Sequence, residues 1–300
     1  MKKESAKRER GIYKVTLQGS VVNLLLTVFK FFAGFYGQSS AMIADAVHSL
    51  SDFITDFVVL AFVRVSTKPQ DENHDYGHGK YETLASAIIG FILLLVGVGI
   101  LWSGGLSIYN VLVLDIPLES PGLLALIAAL LSLVFKELLY GFTIKKGRQL
   151  KSKAVIANAW HHRSDALSSI GTSIGIGGAV LLGAKWSILD PIAAVVVSVL
   201  IIKEAISLLN SGLNELLEKS LSDEIEDEIT AIVNSVEGVH GIEELRTRSI
   251  GNYFAIEFNM LVDGEVSLNI AHDHSVEVEE RLIKRFGKKT HIGIHLEPFR

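Results

Sequence analysis

Six stretches of this chain are long and apolar enough to cross a lipid bilayer, at residues 15–36, 40–65, 83–109, 121–144, 153–182 and 187–209. A spanning helix needs about 20 mostly apolar residues, because the hydrocarbon core is about 30 Å thick and a helix rises about 1.5 Å per residue. The first stretch follows the basic segment KKESAKRER. Its apolar run is too long for a secretory signal and no convincing small-residue cleavage site follows, so it reads as a retained span.

The rest of the chain has a different character. Residues 1–213 hold 19 Lys and Arg against 15 Asp and Glu, whereas residues 214–300 hold 9 against 18. An apolar, slightly basic body of net +4 thus precedes an acidic region of net −9. Only 20% of all residues are charged, against about a quarter in an ordinary soluble domain. This split excludes a single soluble globule, a disordered chain and a nucleic-acid binder built on a basic face. The chain has no cysteine, hence no disulfide, no thiolate metal site and no Cys nucleophile. Any metal is held by nitrogen and oxygen.

Charge in the connecting loops sets an expected orientation. Lys2, Lys3, Lys7, Arg8 and Arg10 precede span one, Lys68 and Lys80 separate spans two and three, and Lys145, Lys146, Arg148 and Lys151 separate four and five. The opposite loops carry Lys185 alone, with Asp115 and Glu119. The positive-inside rule therefore places both termini in the cytoplasm. Beyond residue 212 the pattern predicts a helix at 223–236, strands at 241–249 and 253–262, a helix at 268–286 and a strand at 291–297. The order αββαβ suggests a small two-layer α+β domain. In its second strand Phe254, Ile256, Phe258 and Met260 share one face and Glu257 lies on the other. The expected domains are a six-helix transmembrane bundle over 1–213 and a cytoplasmic domain over 214–300.

A carboxylate at the bilayer centre costs about 2.5–3.5 kcal/mol on insertion scales, so each one requires a reason. Span two contains Asp45, His48, Asp52 and Asp56, which at 100° per residue form one polar stripe. Span five contains HHRSD, where His161 and Asp165 are neighbours four apart on one face and His162 points elsewhere. Alone, an intramembrane His or Asp serves equally well as interhelical hydrogen-bond glue. Two HxxxD pairs at matching depth favour a shared ligand set of two imidazoles and two carboxylates, which suits Zn²⁺ at about 2.0–2.2 Å per ligand. The same shell accepts Cd²⁺, Co²⁺, Fe²⁺ or Mn²⁺. Asp45 is a further candidate, although Asp45 and Asp56 lie nearer helix ends, where solvation or capping competes. Asp190, followed by Pro191, reads as a helix N-cap. Lys136, Glu137, Lys203 and Glu204 read as snorkelling or locally paired charges, and Gly171 with Gly175 as a small-residue helix contact.

Four strings carry a family resemblance: ADAVHSLSD (44–52), DENHDYGHGKYE (71–82), AWHHRSD (159–165) and ELRTR (244–248). In this order and on this topology they resemble the cation diffusion facilitator family, with six spans and a cytoplasmic ferredoxin-like domain. The resemblance covers nearly the whole chain. It implies a transport site at His48, Asp52, His161 and Asp165, and the His in first position is similar to zinc-preferring members. Asp71, His74 and His78 resemble a second, shallower metal site. Lys80 resembles a family lysine that pairs with an acidic residue, for which Glu218 is the nearest match. Glu243, Glu257, His272, His295 and Glu297 align with metal positions at a cytoplasmic dimer interface, three Glu standing where relatives carry His or Asp. Carboxylates give that set a harder character.

The expectation is a homodimeric cell-membrane antiporter that expels Zn²⁺, or alternatively Mn²⁺ or Fe²⁺, in exchange for protons. The metal is its substrate and a candidate regulator, and no organic cofactor or nucleic acid is implied. A membrane metalloenzyme is the competing class, but the chain lacks HExxH and the multiple His boxes of a membrane di-iron enzyme.

Overall fold

A computed structural model of the chain describes residues 2–66, 68, 70–149, 153–251 and 253–299, with side chains from residue 14 onward except at 55–67, 69, 150–154, 157, 158, 161, 164, 167, 168, 252 and 300. The six apolar runs form long helices: α1 (Lys2–Tyr36), α2 (Ser40–Ser66), α3 (Lys80–Val113), α4 (Leu123–Gln149), α5 (Lys153–Leu181) and α6 (Leu189–Leu216). Among the described residues, Lys14–Tyr36, Lys80–Val113, Leu123–Gln149 and Ala184–Leu216 are long and apolar enough to cross a membrane. The other two helices, α2 and α5, carry the His/Asp motifs, and in α5 the described apolar stretch is Ser169–Leu181. Helix α6 continues to Leu216, so the composition boundary at 213/214 falls inside its last turn.

By contact density the chain divides into Met1–Phe57 with Ile89–Ser207, and Val58–Ile88 with Leu208–Arg300. In the first unit the interior is lined by small residues. Eight of the thirteen residues in its buried apolar cluster are alanines, among them Ala33, Ala41, Ala125 and Ala194. The large apolar side chains point outward, as at Leu25, Phe35, Trp102 and Ile174. This inverts the soluble pattern, because lipid is as apolar as leucine and helices associate through close packing of small residues. Gly175 and Gly178 show how close: a Cβ on either would lie 2.4 Å from Ala193 Cβ and from Leu189 Cδ1 respectively. Gly171 has open space instead, so the small-residue contact predicted for Gly171 and Gly175 belongs to Gly175 and Gly178.

Helix α2 begins on two caps. Ser39 Oγ accepts from Met42 N at 3.0 Å and donates to Asp190 at 2.5 Å, while Asp190 also accepts from Ser40 N at 2.7 Å. Asp190 was expected to cap its own helix. Its carboxylate instead closes the N-terminus of α2, where three donors converge.

The second unit contains helices α7 (Asp223–Asn234) and α8 (Leu268–Phe286), and strands β1 (Val239–Ile250), β2 (Tyr253–Asp263) and β3 (His291–Phe299). The sheet order is β1-β2-β3, with β1 antiparallel and β3 parallel to the central strand. Ile256, Phe258, Met260 and Val262 of β2 pack with Ile229 and Val233 of α7 and with Ala271, Val278 and Leu282 of α8. Both helices thus cover one sheet face, the αββαβ arrangement read from the periodicity. The register shifts between Glu243 and Arg246, where Glu244 adopts a φ of 48°. Glu243, Glu244 and Arg246 around this bulge are exposed.

Candidate metal centre

Helical spacing places His48 and Asp52 on adjacent turns of α2, and α5 brings Asp165 to them. One ligand atom from each of His48, Asp52 and Asp165 lies within 4.8 Å of the others. A tetrahedral shell with ligands at about 2.0–2.2 Å needs donors about 3.3–3.6 Å apart, a difference that side-chain rotation can close. His48 is buried, and among the described residues its Nδ1 has no hydrogen-bond partner. A buried imidazole nitrogen left this way is available to a cation. His161 lies one turn before Asp165 on α5, and its side chain falls outside the described residues. His162 is buried toward α1, where a Cβ on Gly19 would lie 3.5 Å from its Nε2.

Asp45 lies on the same stripe but in different company. It is buried to 1% exposure, and its Oδ2 lies 2.6 Å from Lys30 Nζ, a lysine with no exposed surface. Lys30 also donates to Ser49 Oγ at 2.9 Å, and Ser169 Oγ donates to Asp45 at 3.2 Å. The brace joins α1, α2 and α5. Asp45 is therefore neither solvated nor a cap: a buried carboxylate requires a counter-ion, and Lys30 supplies it. Sequence reading passed over Lys30, although a lone lysine among Leu24, Leu25, Leu26, Phe29, Phe31 and Phe32 was itself a signal that a buried partner exists.

Lys136 also departs from expectation. It does not snorkel: it is 1% exposed on the inner face of α4, its Nζ 3.4 Å from the backbone oxygen of Asp165. Glu137, one residue on, does form the local pair expected of it, with Arg163 at 3.7 Å. Lys203 and Glu204 are exposed. Two buried ammonium groups thus flank the candidate cluster, Lys30 against Asp45 and Lys136 against the backbone of Asp165.

In the loop after α2, Asp71, His74 and His78 also bring ligand atoms within 4.8 Å of one another. Asp71 Oδ1 accepts from Asn73 N at 3.0 Å and lies 3.1 Å from His74 Nδ1, and its Oδ2 lies 3.3 Å from His78 Nε2. The Asn73 amide, then the His74 bond, hold the Asp71 carboxyl below its ordinary range. The rings of His74 and His78 are 4.2 Å apart. Lys80, at the start of α3, pairs with Glu218 Oε1. Glu218 Oε2 takes Arg248 at 2.9 Å, and Arg248 in turn reaches Glu257 at 3.1 Å.

The five cytoplasmic candidates are spread over the uncovered sheet face and α8. Glu257 and His295 line a cavity of about 430 Å³ with Tyr76, Glu244, Asn259 and His291. Glu297 accepts from Asn259 at 3.2 Å and lies 3.9 Å from His295. Glu243 on β1 and His272 on α8 do not line that cavity. Among the described residues, these five do not gather three ligand atoms at one point within a single chain.

Comparison with known proteins places this arrangement. The family model described as the cation efflux transmembrane domain matches residues 17–217, and the one described as the cation efflux protein cytoplasmic domain matches residues 221–299. The chain is 35% identical over 299 residues to the manganese efflux system protein MneP of Bacillus subtilis (strain 168), covering 98% of this chain and 99% of that protein. It is 33% identical over 297 residues to metal tolerance protein C1 of Arabidopsis thaliana, covering 95% of this chain and 62% of that protein. A solved structure of a MamM CTD variant in its copper form aligns with 26% of this chain and 98% of that one, at 20% identity and a TM-score of 0.25. Apolar helices enclosing a His/Asp cluster, an αββαβ domain and matches across both regions lead to one conclusion: the chain belongs to the cation diffusion facilitator, or cation efflux, family of multi-pass membrane transporters of divalent metal cations, and is not an enzyme.

Proposed function

We propose that the chain exports Zn²⁺ from the cytoplasm across the cell membrane in exchange for protons, carrying the ion on His48, Asp52, His161 and Asp165. The observation that supports this reading is the approach of ligand atoms of His48, Asp52 and Asp165 to within 4.8 Å of one another. Binding a divalent ion requires neutral imidazole and ionised carboxylate, so metal uptake expels protons and protonation releases metal. A site that opens alternately to the two sides couples the two flows through that competition alone. Residues 1–213 are the transport domain with a cytoplasmic N-terminus. Residues 214–300 are a cytoplasmic domain that dimerises, the partner copy completing accessory metal positions among Glu243, Glu257, His272, His295 and Glu297. Asp71, His74 and His78 form a shallower accessory position.

A second reading, Mn²⁺ as the main substrate, is favoured by the similarity to a protein named for manganese efflux. Proteoliposomes under an imposed pH gradient separate the two. Zn²⁺ and Mn²⁺ are offered alone and in competition, and flux is measured rather than binding. Flux that follows the proton gradient and disappears in Asp52→Ala and His161→Ala is the expected result. Unchanged flux in both variants contradicts the site, and flux indifferent to pH contradicts proton exchange.

A further inference from the structure

An acidic region with a basic island poses a question that metal binding does not answer. Residues 214–300 carry nine Lys and Arg, and four of them fall within positions 284–289. Arg285 is held by Glu228, with Nη2 at 2.8 Å. Lys288 and Lys289, in the turn between α8 and β3, are exposed and have no carboxylate partner among the described residues. With Lys68, Tyr253, Thr290 and His291 they line a cavity of about 390 Å³ that no carboxylate enters. The Thr290 hydroxyl is 7% exposed and, among the described residues, has no hydrogen-bond partner. Three ammonium groups, an imidazole and a buried, unused hydroxyl facing one cavity are the complement of an oxyanion.

The position of the cavity narrows the choice of anion. Lys68 lies two residues beyond α2, and the loop it opens leads into α3, a helix long and apolar enough to cross the membrane. The loop therefore lies where the chain leaves the bilayer. Gly77 and Gly79 allow this loop to meet the sheet closely. A Cβ on Gly77, whose φ is 72°, would lie 3.1 Å from Tyr253 Oη and 3.4 Å from the Lys68 oxygen, and one on Gly79 would lie 2.5 Å from the Ile250 oxygen. Tyr253 Oη also donates to the Tyr76 oxygen. The β1–β2 turn is thus packed against the loop that leads into α3, and anionic headgroups, which draw basic side chains to them, are concentrated where such a loop leaves a bilayer.

We infer that this cavity binds the phosphate of an anionic phospholipid headgroup. The ligand chemistry is a phosphate oxyanion, and the bilayer edge is what selects the lipid over free phosphate. A headgroup seated there bridges the loop bearing Asp71, His74 and His78 to the turn that opens β3.

The test uses the full-length protein in detergent, offered equimolar phosphatidylglycerol and phosphatidylcholine, with retained lipid counted by native mass spectrometry. Wild type is expected to retain phosphatidylglycerol preferentially. Lys288→Glu/Lys289→Glu is expected to lower that retention by more than about 25-fold, at about fivefold for each lysine charge lost near an anionic surface. Lys288→Gln/Lys289→Gln and Thr290→Val, which perturb folding less, give smaller losses in the same direction. The control Lys145→Glu/Lys146→Glu, near the C-terminal end of α4 and outside the cavity lining, leaves retention unchanged. Equal losses in the control, or equal retention of phosphatidylcholine, would overturn the proposal in favour of diffuse attraction. Displacement of phosphatidylglycerol by millimolar inorganic phosphate would overturn it in favour of a free anion.

Discussion

Removing an ammonium and a carboxylate from water costs several kcal/mol per ion, and at Lys30 and Asp45 a 2.6 Å contact with hydrogen bonds to Ser49 and Ser169 offsets that cost. Breaking such a pair from one side is worse than removing it. Lys30→Met, which strands Asp45 in a buried site, is therefore expected to destabilise the protein by about 3–5 kcal/mol, and Lys30→Met/Asp45→Asn by much less. Thermal unfolding in detergent distinguishes the outcomes, and equal losses in the two variants would show that Lys30 is not the counter-ion. The approach of His48 to Asp52 was legible in the sequence because i, i+4 neighbours share a helix face whatever the helix packs against. The partners of Lys30 and Lys136 were not, because whether such a lysine snorkels or is buried, and against what, depends on how its helix is rotated within the bundle.

Elements meet here through what they lack. Gly175 and Gly178 let α5 approach the start of α6, so Gly175→Leu is expected to force the helices apart and lower the thermal midpoint, whereas Gly171→Leu, with open space around it, is tolerated. A similar loss in both variants would argue that bulk anywhere on α5 is harmful, and not that this contact is tight. In the second unit, α7 and α8 are tied by Glu228 and Arg285. The hydrogen bond from Arg285 holds the Glu228 carboxyl below its ordinary value of 4.5. A carboxyl lowered by folding contributes stability above its ordinary value, and that contribution fades as pH falls through the lowered folded value. Melting curves recorded from pH 6 downward should accordingly show a shallower acid-side decline in Glu228→Gln than in wild type. The order of α7, α8 and the strands, with ends within two residues of those observed, was readable from periodicity and alternation, since these are local properties of the chain.

At the scale of the molecule, a chain of charges runs from Lys80 through Glu218 and Arg248 to Glu257, tying the start of α3 to the sheet. Glu218, at a φ of 62° just past α6, lies at its centre. Glu218→Gln weakens both of its links, and trypsin cleavage after the neighbouring Lys219 should then quicken. An unchanged cleavage rate would mean that the connection is held by other contacts, such as Glu215 accepting from Thr83 and from Gly251 N at 2.7 Å each. The apolar runs, the two HxxxD pairs and the αββαβ order follow from the sequence alone, because span length, helix-face position and strand alternation depend only on neighbours along the chain. Folding in three dimensions decided that Asp190 closes α2 and not its own helix, that Lys30 balances Asp45, that Lys136 turns inward, and that Lys68 shares a cavity with Lys288 and Lys289. Those pairings join residues 15 to more than 200 positions apart, and helix rotation and depth, which local periodicity does not encode, determine which charges meet.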